Sequence, residues 1–229
     1  DAFLPPTPEQ MFAYPLYGSN PDLKPEDARA YEVVARVHGR FGALDAAVFW
    51  TDTRNEIVFL PPTTEHSYGF NDNAGTTRRR GVELSARGRL ARGVSAFANA
   101  SYTDAAFTSG VDYLNQEPLD GNEVPLVPKV RAAAGIDASL PRGFGIRADA
   151  LYVGSQVLDN DSANSQLKLA AYTVVNLRAG WERALDPGAG SRAGRLGVFV
   201  EAKNVFDETY ATRGISTDFD ADPPPPVNY

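Results

Sequence analysis

Apolar and polar residues alternate along most of this chain with a period of two, the repeat of a strand with two unlike faces. In PKVRAAAGIDASLPRG, Val130, Ala132, Ala134, Ile136, Ala138 and Leu140 fall on one face, and Lys129, Arg131, Ala133, Gly135, Asp137 and Ser139 on the other. The next segment repeats the pattern, with Phe144, Ile146, Ala148, Ala150 and Tyr152 alternating with Gly145, Arg147, Asp149, Leu151 and Val153. The alternation predicts long strands near 31–40, 43–60, 73–88, 93–107, 129–140, 144–156, 170–183 and 195–210. Strands of soluble domains commonly run to about 5–6 residues, whereas a strand crossing a bilayer at a tilt needs about 9–11.

The connections alternate as well. Tight ones fall at Gly39–Gly42, Leu90–Gly93 and Pro141–Gly143, and a looser one at Leu185–Gly194. Long polar ones fall near 61–72, 108–127 and 157–168. Short turns at one end and long loops at the other are the layout of an outer-membrane barrel, with Tyr152, Trp50 and Trp181 near strand ends as interfacial aromatics. The fold class this predicts is all-β: part of an antiparallel transmembrane β-barrel, about eight long strands of a larger barrel. The alternative is a complete small barrel of eight strands with a structural or adhesive role.

Charge and composition narrow the function. The 229 residues carry a formal charge of −7, which argues against a nucleic-acid partner despite the basic run NAGTTRRRGVELSARGRLARG. There are no cysteines, so thiol chemistry and thiolate metal sites are excluded. No apolar run reaches the ~18 residues of a membrane helix. DAFLPPTPEQ has no basic region followed by an apolar core, so it does not read as a leader.

Within the basic run the arginines divide by parity. Arg79 and Arg87 share the polar face with Glu83, while Arg78 and Arg80 share the apolar one. Either these two sit above the hydrocarbon near anionic head groups, or Gly81 marks a bulge that resets the face.

Five segments in order carry a family resemblance: NPDLKPE (20–26), NAGTTRRRGVELS (73–85), VPLVPKVRA (124–132), YTVVNLRAGW (172–181) and KNVFDETYA (203–211). FLPPTPEQMF (3–12) adds to it as the segment entering the loop before the first. Together they resemble the C-terminal part of the barrel of a TonB-dependent outer-membrane receptor. The resemblance spans residues 1–229, as one partial barrel domain with no counterpart of the plug or the last strand. It implies a Gram-negative outer-membrane location and active transport of a ferric siderophore or similar iron chelate, energised by TonB acting through the plug. Cobalamin and carbohydrate, with nickel or copper chelates, stand as alternative ligands. The implied surroundings are outer-membrane lipid and lipopolysaccharide.

Other chemistry is weaker. GAGSRAG (188–194) precedes a strand instead of following one, so it reads as a turn and not a dinucleotide site. DNDS (159–162) and DFDAD (218–222) lack the glycine and distal glutamate of a calcium loop. No G-x-S-x-G or H-E-x-x-H motif appears, and the reading is of a non-enzyme without cofactor or metal. The inner wall is expected to carry Arg36, Arg79, Glu83, Arg87, Arg131, Asp137, Arg147, Asp149, Arg178 and Glu201, with Asp45 and Glu182, as a self-neutralising surface facing a plug. Ligand contacts are expected from the loops, at Tyr14, Tyr17, His66, Tyr68, Phe70 and Tyr113.

Overall fold

The computed structural model describes residues 1–12, 18–60, 69–112, 116–185 and 194–216. One antiparallel sheet organises them, with nine strands hydrogen-bonded in sequence order. They are β1 (Ala2–Leu4), β2 (Glu26–Gly39), β3 (Gly42–Leu60), β4 (Phe70–Ala91), β5 (Val94–Gly110), β6 (Val130–Ser139), β7 (Phe144–Val153), β8 (Tyr172–Leu185) and β9 (Gly194–Ala202). The order is linear, with β1 and β9 at opposite edges, so the described strands form an open wall and not a closed eight-stranded barrel. A one-turn helix, Pro8–Met11, follows β1 and is closed by a capping box between Thr7 and Gln10.

Alternation becomes two faces because the register keeps parity across neighbouring strands. One row runs Val33, Val48, Val82, Tyr102, Val130, and the next runs Ala35, Ala46, Leu84, Ala100, Ala132, Tyr152. The outward face continues through Ala150–Val175 and Ala148–Leu177 to Trp181–Val198. Most large apolar side chains on it are exposed, Val33 at 75% and Val200 at 73%, as on a face that meets hydrocarbon. The opposite face pairs Arg36 with Asp45, Glu83 with Ser101, Asp137 with Arg147, and Arg178 with Glu201.

Aromatics bound the apolar band. Tyr31 and Trp50 are cross-strand partners towards the long-loop end, and Phe144 and Trp181 are partners beside the turn Pro141–Gly143. Eight residues separate Phe144 from Tyr152, about 26 Å along a strand, which at a barrel tilt of about 40° is about 20 Å along the membrane normal, within the ~25 Å apolar band. β6 and β7 have ten residues each, enough to cross. β3 and β4 have 19 and 22, so their hairpin rises well beyond the bilayer at the long-loop end.

Gly81 does not reset the face. The register runs unbroken from Ala86 to Thr77, so Arg78 and Arg80 stay on the outward side. The glycine is required by close approach: a Cβ there would lie 2.0 Å from the Tyr102 carbonyl oxygen and 2.7 Å from the Phe49 ring. β9 ends at Ala202, not near 210, because Asn204 (φ 50°) and Asp207 (φ 52°) turn the chain left-handed.

The hydrophobic clustering is outside the membrane band. Phe107 (1% exposed), Leu119 and Val124 pack with Ala105 and Val127 where the 111–129 connection folds back on β5.

The face assignment has a direct check. Leu84→Lys, midway along the outward face of β4, should destabilise the folded protein in lipid vesicles by about 2–4 kcal/mol, and Glu83→Lys much less. Equal costs in urea unfolding would overturn the two-face assignment.

Candidate functional site

The inward polar face is hollow. A depression of about 460 Å³ crosses β2 to β7 and is lined by Glu32, Arg36, Asp45, Glu83, Asn99 and Arg131 among others. Its charges are only partly paired. Arg147 sits between Asp137 (3.8 Å) and Asp149 (3.5 Å). Asp45 lies 3.9 Å from Arg36 and 3.7 Å from His38, and its Oδ1 accepts no hydrogen bond among the described residues. Arg178 stacks on Phe199 at 3.8 Å and does not bridge to Glu201, which instead pairs with Lys203 at 3.6 Å. Glu182 pairs with Arg195 at 3.0 Å. Glu83, Arg87 and Arg131 form no ion pair among the described residues. The wall is thus less self-neutralising than its sequence suggests. Its aromatics lie flat: Phe97 covers Gly135, where a Cβ would come within 2.4 Å of the ring, and Arg147 lies 5.4 Å over that ring.

Arg79 takes a partner that parity does not reveal. Its two Nη groups donate to both oxygens of Glu56, at 3.1 and 2.6 Å, and Nη1 donates to Thr77 at 2.8 Å. Glu56 follows Asn55 (φ 56°), where the β3–β4 register shifts. The bulge brings the carboxylate over Arg79.

Above the sheet, three connections join into one cap. Asn164 accepts from the Glu123 amide at 2.7 Å and returns a bond to its carbonyl at 2.9 Å. Leu126 donates to the Val157 carbonyl at 3.0 Å. The 203–216 segment is tied in by Gln156 Nε2 to the Thr212 carbonyl (3.1 Å), by the Arg213–Asp159 ion pair, and by Ser216 donating to the Asp159 carbonyl at 2.9 Å. Glu123 clamps the cap, with Lys129 at 2.6 Å and Lys168 at 2.7 Å. Partial burial pushes its carboxyl up, but the bonds from the two lysines outweigh this and hold it below its ordinary value. DNDS lies within this cap. Asp161 is buried and accepts from the Ser165 and Gln166 amides at 2.8 and 3.1 Å, and no group of metal-binding side chains occurs among the described residues.

Asparagines tie the sequence motifs together. Asn73 Nδ2 donates to the carbonyls of Lys24 (3.0 Å) and Asn55 (2.7 Å), and its Oδ1 accepts from the Lys24 amide at 2.8 Å. Asn20 donates to the Asn71 carbonyl and to Asp72. NPDLKPE is thereby fastened to the start of β4. Asn176 receives the Asn204 amide at 3.0 Å and donates to Asp149 at 2.9 Å, while Tyr172 and Tyr210 stack 4.3 Å apart.

This architecture has known counterparts. A family model described as TonB dependent receptor-like, beta-barrel, matches residues 1–205. The chain belongs to the TonB-dependent receptor barrels. It is 28% identical to the pesticin receptor of Yersinia enterocolitica over 84% of this chain and 27% of the relative. It is 29% identical to the ferrichrome outer membrane transporter/phage receptor of Escherichia coli K12, over 84% of this chain and 24% of that one. The crystal structure of the ferric yersiniabactin uptake receptor of Yersinia pestis superposes with a TM-score of 0.64 at 26% identity, over 86% of this chain and 28% of the receptor. The chain thus spans about a quarter of the length of these relatives. As a receptor barrel it is a protein of the Gram-negative outer membrane, and its family comprises receptors and transporters, not enzymes.

Of the expected ligand-contacting residues, Tyr14, Tyr17, His66, Tyr68 and Tyr113 lie outside the described residues, as does DFDAD and all of GAGSRAG but Gly194. Phe70 is described: it opens β4 opposite Leu60 and is 8% exposed, so its ring is engaged in packing. The polar wall residues all fall on the inward face. Glu56, Glu123, Asn73 and Asn176 escaped the sequence reading, although Asn73 and Asn176 lie inside its quoted motifs.

Two outcomes follow for the receptor's cap and latch. A carboxyl held below its ordinary value contributes stability above the unfolded-state pKa and loses it as pH falls through the lower folded value. Amide protection of 111–129 and 154–171, corrected for intrinsic exchange, should therefore fall on acidification, and Glu123→Gln should show the loss already at neutral pH. Asn73→Ala removes three bonds and should cost about 1–3 kcal/mol, with faster proteolysis within 18–25. Unchanged cleavage would show that the latch does not hold that segment.

Proposed function

We propose that the protein carrying this chain is an active-transport receptor for a ferric siderophore or similar iron chelate, energised through TonB, and that this chain supplies part of the wall and loops of a larger barrel. The observation that carries this reading is the pairing of a lipid-compatible outer face with a hollow inner face whose Glu83, Arg87 and Arg131 form no ion pair among the described residues. Charges in such a position are stabilised by water or by a complementary polar surface, and a plug filling the barrel would be that surface. Arg36, Arg79, Asp137, Arg147, Asp149, Arg178 and Glu201 would complete the wall around it. The wall itself does no energy coupling; TonB would act on the plug.

The iron chelate rests on the relatives, one named for ferrichrome transport and one for ferric yersiniabactin uptake. Capture would fall to the loops at the far end of β3–β4 and to the cap, with Tyr14, Tyr17, His66, Tyr68 and Tyr113 as candidate contacts. Phe70 would support that loop from below. The outer face would meet outer-membrane lipid and lipopolysaccharide.

Uptake of radiolabelled iron separates the ligands. Cells lacking the native protein should lose high-affinity uptake from at least one of catecholate, hydroxamate and phenolate chelates, and collapsing the proton gradient in wild-type cells should abolish the same uptake. Retained uptake of all three would reject iron and turn the assignment to cobalamin, carbohydrate or another metal chelate.

A further inference from the structure

The short-turn end of the wall is basic although the chain is acidic. The formal charge is −7, yet the short turns at 39–42, 92–93 and 140–143 carry Arg40, Arg92 and Arg142 and no acid. Two backbone hydrogen bonds join these strand ends side by side. The Arg89 amide donates to the Phe41 carbonyl at 2.7 Å, and the Ser139 amide donates to the Gly93 carbonyl at 2.6 Å. In an outer-membrane barrel the short turns face the periplasm, so the rim they form surrounds the inner mouth.

A hollow of about 590 Å³ opens on the inward side of this rim, lined by Arg40, Arg87 and Arg89 beside the bare backbone of Gly42 and Gly88. None of the three arginines forms an ion pair among the described residues. Arg40 Cζ lies 5.3 Å from the ring centre of Phe41, which is 69% exposed. Asp137 also lines the hollow, but it lies 3.8 Å from Arg147 on its other side. Like charges gathered in one concavity raise one another's energy and focus a positive potential, which an anionic partner relieves. The strand selects the form of that partner. Arg87 and Arg89 are two positions apart on the inward face of β4, about 7 Å along it. An extended peptide spaces the side chains of one face in the same way, so acids at alternate positions meet successive guanidinium forks. Phe41 offers a ring beside them for an apolar side chain. Membrane lipid meets the opposite face of the sheet.

We infer that Arg40, Arg87 and Arg89 dock an extended acidic segment of a periplasmic partner protein, with carboxylates at alternate positions, at the inner mouth of the barrel. The inference rests on the receptor reading for the side of the membrane on which this rim lies.

The test is fluorescence anisotropy of a labelled octapeptide of alternating glutamate and serine, compared with its glutamine analogue, on the full native protein in nanodiscs of zwitterionic lipid. Wild type should bind the acidic peptide about tenfold more tightly than the analogue at low salt, and the difference should shrink as ionic strength rises. Arg40→Gln/Arg89→Gln should lose that preference. Arg29→Gln/Arg54→Gln, the same change of charge at the long-loop end, should keep it. An isomer with its glutamates consecutive should bind more weakly than the alternating peptide. Equal binding of the acidic and neutral peptides by wild type would overturn the site without recourse to any variant, and is the result if the barrel's own plug fills the hollow. So would an undiminished preference in the Arg40/Arg89 variant, an equal loss in both variants, or equal binding of the two isomers. Release of the peptide by phosphatidylglycerol would give the site to lipid and overturn it as well. The measurement involves neither transport nor TonB, so its failure is distinct from a failure of iron uptake.

Discussion

A backbone amide or carbonyl in hydrocarbon has no water to bond, so every strand in the bilayer must be paired along its length. Much of this structure follows from that constraint. The register is continuous through the apolar band, and its irregularities lie outside it. Those at Thr53/Glu56 and Thr76/Thr77 fall above Arg78, and the one at Arg89/Ala91 falls at the short turn before β5. An unbroken ladder fixes side-chain parity across the sheet. One face can then be apolar and the other charged without further devices. Where pairing is freed from lipid, bulges appear, and with them Asn55 and the carboxylate of Glu56 over Arg79.

This explains what was legible in advance. Parity is local, so Val130 to Leu140 announced its two faces without any knowledge of its neighbours, and the inward arginines followed. Partners are not local. Arg79 looked matched to Glu83 two positions away on its own face, yet it reaches across a bulge to Glu56. Arg178 opposes Glu201 in register but stacks on Phe199. β1 is only three residues long and carries too little pattern to be seen, and β9 stops early at left-handed Asn204, a backbone state that composition hints at but does not require. The chemistry of the loops has no period at all, so aromatic content was the only guide there.

The cap and the latches share a way of holding irregular chain. Asn73, Asn164, Asn176 and Asn204 each use a side-chain amide to bond backbone groups that a ladder would otherwise satisfy. Asparagine suits this because it donates and accepts at once and is uncharged. NPDLKPE and KNVFDETYA are therefore each half of a joint, and the other halves lie in NAGTTRRRGVELS and YTVVNLRAGW.

The inner aromatics carry a consequence for bore. Phe97 lies flat because Gly135 has no side chain to lift it, and Phe49 is placed in the same way over Gly81. The free radius on this side of the wall is thereby governed by the thickness of a ring and not by its length. The missing methyl groups let both rings lie against the wall, and a side chain at Gly135 would swing the Phe97 phenyl group away from it like a turnstile arm.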